Sequence, residues 1–206
     1  MLDVVTLRVA FGLVAVGVLV LFYGVPYRST RSAYSGWWCG SLAFFIVGAL
    51  LFLFNDTAFQ VIANPLGNTA GTLGAACVWA GARSLREREV RWVQLVVLPA
   101  VVLAASLLDD PRDDVWSGGA AYLFCMAALI GGSARELVRL LRTQRPAGWA
   151  REQFRFAVSS MATVSGVIGG FYLARGIVFV ATGPGSAVFR IVFGSQVTTL
   201  LTMLLL

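Results

Sequence analysis

The sequence predicts an all-α integral membrane protein, built as one bundle of seven transmembrane helices. Three observations carry the prediction. The chain is 58% hydrophobic and only 13% charged, with a mean hydropathy of +0.81, whereas a soluble domain carries about 25% charged residues. Several apolar runs approach or exceed the roughly 18 residues needed to cross a bilayer. The arginines collect in alternate connections between those runs. A transmembrane barrel would show short alternating segments, and these runs do not alternate.

Hydropathy places the spans at Val4–Val25, Gly36–Phe54, Pro65–Ala82, Trp92–Leu108, Val115–Ser133, Phe156–Ala181 and Ala187–Leu206. The first starts almost at once, with no basic leader and no clear small-residue cleavage site, so it reads as a span and not a signal peptide. The third, "GNTAGTLGAACVWAGA", is small and mildly apolar, and its case rests on the loops around it. Arg28 and Arg31 follow span one. Arg83, Arg86, Arg88 and Arg91 follow span three, and Arg135, Arg139, Arg142, Arg145, Arg151 and Arg155 follow span five. The intervening connections hold Asn55 and Asp56, then "DDPRDD", then "TGPGS". The positive-inside rule makes the arginine side cytoplasmic, with the amino terminus outside and the carboxyl terminus inside.

The last run, Gln196 to Leu206, meets no polar anchor. A last span usually closes on an interfacial or charged anchor. The expectation is that these 206 residues are one piece of a longer protein, and that whatever follows Leu206 emerges in the cytosol.

Absences exclude several chemistries. With no lysine there is no retinal Schiff base. With no histidine there is no histidine-ligated haem, zinc–histidine site or histidine base. Cys39, Cys77 and Cys125 fall in three different runs and form no CxxC pair, so they read as small core residues. The net charge of +6 comes from arginines already explained by membrane side, so no nucleic-acid partner is implied. No cofactor, metal site or catalytic set is expected. "DDPRDD" reads as a solvated outer turn.

Small residues mark two spans as central. Span three holds Gly67 and Gly71 as a GxxxG, and span six holds Ser165, Gly166, Gly169 and Gly170. Asn64 reads as an N-cap with Pro65 at the first helical position of span three. Asn68 lies one turn on, on the same face. Gln60, Asn55 and Asp56 precede them on the outer side. Arg175 sits inside the outer end of span six and Arg190 near the outer start of span seven. These residues suggest an outward-facing pocket for a polar or anionic small ligand, lined by Asn64, Asn68, Arg175, Arg190 and Gln196. The plainer alternative is an N-cap with two snorkelling arginines and Asp56 as a salt-bridge partner. Tyr34, Trp37, Trp38, Trp79 and Trp116 fit interfacial belts. The stretch "RELVRLLRTQ", with Leu137, Leu140 and Leu141 at helical spacing, reads as span five continuing beyond the membrane. Its surface faces lipid headgroups or a downstream domain.

The stretches "LFYGVPYRSTRSAYSGWWCGSLAFF", "ANPLGNTAG" and "VWAGARSLRER" resemble the membrane-embedded amino-terminal region of actinobacterial GGDEF proteins, which are diguanylate cyclase-like. The resemblance covers most of spans one to three and is looser in the rest. It implies a sensor in the bacterial cytoplasmic (inner) membrane, passing a signal to a cytoplasmic cyclic-di-GMP-synthesising domain that works as a homodimer. The chain contains no GGDEF or GGEEF motif, so no catalytic residue carries over and these residues are expected not to be an enzyme. Membrane lipid and a small outer ligand are the remaining expected partners. Two other readings stand beside it. A small transporter or channel for a polar solute would need a polar path, and Thr163, Ser165, Gln196, Thr198 and Thr199 supply little of one. An intramembrane enzyme would need acid–base groups that the spans lack.

Overall fold

The computed structural model describes residues 4–112, 114–143, 150–194 and 197, with backbone alone at 4, 5, 7, 8, 11, 150 and 151. These residues form seven helices longer than one turn. They are α1 (Val4–Phe22), α2 (Ala33–Leu51), α3 (Gln60–Ser84), α4 (Trp92–Leu108), α5 (Gly119–Thr143), α6 (Ala150–Thr182) and α7 (Ala187–Val192). They pack as a chain of neighbours: α1 on α2, α2 on α3, α3 on both α4 and α5, α5 on α6, and α6 on α7.

The seven-span expectation is corrected. Four described stretches are long and apolar enough to cross a membrane: Gly12–Thr30, Ala33–Phe54, Gly119–Thr143 and Glu152–Thr182. They are the signature of a multi-pass membrane protein. α4 has the expected bounds but is short, at 17 residues. α3 is long enough, since 25 residues rise about 37 Å. Its composition is what fails, because glycine, alanine, asparagine and threonine replace the large apolar residues. The expected seventh span beyond Gly194 lies outside the described residues, Val197 apart, and Arg145, Asp113, Gln196, Thr198 and Thr199 lie there too. The membrane orientation that depended on seven crossings falls with that count.

Local sequence explains the helix ends. Pro26 has no N–H and interrupts the ladder, and α1 widens there into a π-turn over Tyr23–Tyr27. The helix then runs on through Arg28–Thr30 and stops where Arg31 turns left-handed, at φ 45°. The Ser32 hydroxyl accepts from the Ser35 N–H and caps α2. Ser186 caps α7 in the same way, through the Phe189 N–H.

Glycines set the close approaches. A Cβ on Gly169 of α6 would lie 2.8 Å from the Gly131 nitrogen of α5, so these backbones nearly touch. Gly48 of α2 faces the Gly67 carbonyl oxygen of α3 at 3.3 Å from its own Cβ position. α3 sits in the middle, with most of its length hidden by α2, α4 and α5. Ala75, Ala76 and Ala80 of α3 meet Leu123, Met126 and Leu129 of α5 in the main core. Lipid therefore has little of α3 to touch, and its low apolarity costs little.

α5 continues past its apolar run, as expected, as an unbroken helix to Thr143. Its leucine face is not left for lipid or for another domain. Leu137 and Leu140 are buried against Ala82, Val158 and Ala162, with Leu141, Phe154 and Met161 around them. Beside this seam, Arg86 donates to the buried Glu136 carboxylate, and Arg139 reaches its other oxygen at 3.4 Å. This end of the bundle, with Arg83, Arg86, Arg139 and Arg142, is the arginine end. The other, with Asp56, Asp109, Asp110 and Asp114, is the aspartate end.

Candidate functional site at the aspartate end

Three amides on one face of α3 hold the loop between α4 and α5. Gln60, Asn64 and Asn68 stand four residues apart, and all three are buried. The Gln60 Nε2 donates to the carbonyls of Pro111 (3.0 Å) and Arg112 (3.3 Å), and its Oε1 accepts from the Asp56 N–H at 2.7 Å. The Asn64 Nδ2 donates to the Val115 carbonyl at 2.7 Å. The Asn68 Nδ2 is shared among the Ser117 carbonyl (3.1 Å), the Ser106 Oγ (3.1 Å) and the Asn64 Oδ1 (3.2 Å). Ser117 in turn donates to the Ser106 carbonyl at 2.6 Å. Leaving one such buried group unpaired costs about 1–3 kcal/mol. The ladder fixes an irregular loop against a regular helix.

One sequence expectation is revised here. α3 begins at Gln60, so Asn64 is a buried donor inside the helix and not its N-cap, and Pro65 lies inside the helix. The pairing of Asn68 one turn after Asn64 holds. The described carboxylates of "DDPRDD" are exposed, as in a solvated turn, and accept backbone N–H bonds: Asp109 from Gly118 at 2.9 Å, Asp110 from Arg112 at 3.3 Å and Asp114 from Trp116 at 2.8 Å. Among the described residues no cluster of three His, Cys, Asp or Glu is placed to hold a metal ion. Cys39, Cys77 and Cys125 are all unpaired.

Arg175 lies on the other side of the loop. It is only 4% exposed. Its guanidinium carbon stands 5.1 Å from the Trp116 ring centre and 5.5 Å from that of Phe189. Trp116, Phe179 and Phe189 form a closed aromatic group, with centroids 5.0–5.7 Å apart. Tyr172, one turn back on α6, and Tyr122 of α5 stand within electrostatic reach of the charge and meet edge to face at 6.3 Å. Both ion pairs among the described residues are at the arginine end, so Arg175 has no carboxylate partner among those residues. Its buried Nε finds no hydrogen-bond acceptor.

Magnitudes show what holds the charge there. An arginine at the centre of a membrane helix costs about 2.5–3.5 kcal/mol on insertion scales, and less near an interface. Each desolvated cation–π contact returns about 0.5–2 kcal/mol. Two such contacts come close to offsetting the charge. They supply no hydrogen-bond acceptor, and the buried Nε stays unserved.

The proposed pocket therefore divides. Asn64 and Asn68 are committed to the loop, and Arg175 is packed beneath Trp116. Arg190 is exposed on α7, and Gln196 lies outside the described residues. Trp116, Phe189, Tyr122, Ser106 and Ser117 complete the arrangement, and hydropathy did not point to them. Tyr172, three residues before Arg175, carried a legible helical spacing. The others come from distant segments and carried none. No protein-family model, no curated protein and no solved structure matches the chain. The GGDEF and cyclic-di-GMP terms gain no support from these comparisons, and the description as seven spanning helices gives way to four long apolar ones.

Proposed function

We infer that the chain is a membrane-embedded signal-input domain of a bacterial inner-membrane protein. The observation that supports this most is the path of α5. The helix starts in the loop clamped by the asparagines and runs without a break for 25 residues. It ends at the buried Glu136 and the leucine seam of the arginine end. A rigid rod joined to two structured ends passes a small displacement from one to the other, provided both ends have two discrete arrangements. The sequence resemblance of the stretches at 21–45, 63–71 and 78–88 supports a GGDEF-type output.

The test is made in the native host with the chromosomal gene. Deletion is compared with an Asn68→Ala variant whose membrane level is checked by immunoblot. A signal-input domain of this kind changes intracellular cyclic-di-GMP on deletion, and Asn68→Ala shifts the level without loss of protein. Unchanged cyclic-di-GMP together with reduced uptake of a polar solute would replace signalling by transport.

A further inference from the structure

We propose that Arg175 is one half of an anion site at the aspartate end, whose occupant is an oxyanion offering two oxygens, a phosphate or a carboxylate. The inference does not depend on the signal-input reading.

The side chain is 96% buried, since its exposure is 4%. Trp116 and Phe189 stand against its guanidinium, with ring centres 5.1 and 5.5 Å from the guanidinium carbon and ring planes 80° apart. Ring contacts supply no hydrogen-bond acceptor, and the guanidinium edge is a fork of N–H donors. The Nε of that fork has no acceptor. A fork of this shape matches two oxygens of a carboxylate or phosphate, with parallel charge-assisted bonds. Two described carboxylates near the cage in sequence are turned to other work. Asp109 and Asp114 accept backbone N–H bonds within their own loop.

Access runs through α7. This helix has six residues, and Phe189 is its one buried side chain. Val188, Ile191 and Val192 face outward. The helix is thus held over Arg175 chiefly by the Phe189 ring, with Ser186 bonded to Thr182 before it and Phe193 against Phe171 after it. Lifting that ring opens the guanidinium edge beside an apolar rim. Such a rim suits an anion that carries an acyl chain, and a free anion would use the same donors.

The experiment uses the full chain in nanodiscs of phosphatidylcholine. The soluble arm adds inorganic phosphate or acetate. The membrane arm mixes phosphatidylglycerol or oleate into the disc. Retention is read by native mass spectrometry and stabilisation by thermal unfolding. We expect the wild type to bind in at least one arm, and the arm identifies the source. Arg175→Gln should weaken binding about tenfold or more, and Arg175→Lys, which keeps the charge and loses the fork, should fall between. Phe189→Ala should speed association by removing the cover. Absence of any effect of all four anions on the wild type overturns the proposal. So does equal binding by wild type and Arg175→Gln. If Arg175→Gln fails to fold, an association rate unchanged in Phe189→Ala overturns it instead.

Discussion

Gly131 and Gly169 face one another across α5 and α6, and the same substitution at each should have opposite effects. A Cβ on Gly169 would stand 2.8 Å from the Gly131 nitrogen and 2.9 Å from its Cα. Both are backbone atoms and cannot swing aside. Ordinary contact begins near 3.4 Å, so the helices would have to part by about 0.6 Å, the difference between 3.4 and 2.8 Å. Overpacking of this kind costs about 1–3 kcal/mol. Alanine returns up to about 1 kcal/mol of helix propensity. Gly169→Ala should therefore destabilise by roughly 1 kcal/mol, rising to about 2 if the backbone does not give. A Cβ on Gly131 meets nothing within 4 Å. Gly131→Ala should be neutral or stabilise by up to about 1 kcal/mol. Reversible unfolding in mixed detergent micelles, with both variants beside the wild type, measures the difference. Equal destabilisation by the two would refute the close approach as described.

Three further outcomes are expected. Asn68→Ala should cost about 2 kcal/mol, within the usual range for an unmade buried bond, and hydrogen exchange at residues 111–117 should speed up more than exchange in α5. Glu136→Gln should cost about 1–3 kcal/mol, because the Arg86 and Arg139 charges lose their acceptor in a half-buried setting. A double-mutant cycle with Arg86→Met should give a coupling of about 1 kcal/mol or more, and a coupling near zero would assign the pair to the surface. Gly118→Ala should cost more than about 2 kcal/mol, since φ is +70° and the new Cβ would fall 2.7 Å from both the nitrogen and the Cα of Ser106. Thermal unfolding checks this, and a wild-type midpoint would show that the loop relaxes.

Helix content was legible along the described residues, and some bounds were legible to the residue. Trp92–Leu108 is where hydropathy placed it, because arginine precedes it and aspartate follows it. The extension of α5 to Thr143 was legible from Leu137, Leu140 and Leu141. The number of membrane crossings was not. Mean apolarity measures what a helix shows to lipid, and α3 shows little, so composition and position point in different directions there. Asn64 misled for a related reason. Asn–Pro at the edge of an apolar run is the sign of a helix start, yet the Gln60 amide bond to the Asp56 N–H starts the helix four residues earlier. The site was half legible. The sequence separated Arg175 from the other arginines as a charge within an apolar run. Its cover, Trp116 and Phe189, arrives from segments 59 residues before it and 14 after it by their numbers, and no local period marks such a meeting.

The amide ladder also sets an order of events during synthesis. The acceptors of Asn64 and Asn68 lie 38 to 51 residues further along the chain. At roughly 5–20 residues per second, a ribosome needs about 2–10 s to supply them. For that interval α3 has its asparagines and no loop to give them to. A nascent chain that stalls before Ser117 therefore exposes a half-made polar seam in the middle of an apolar bundle, which membrane proteases and chaperones are suited to find.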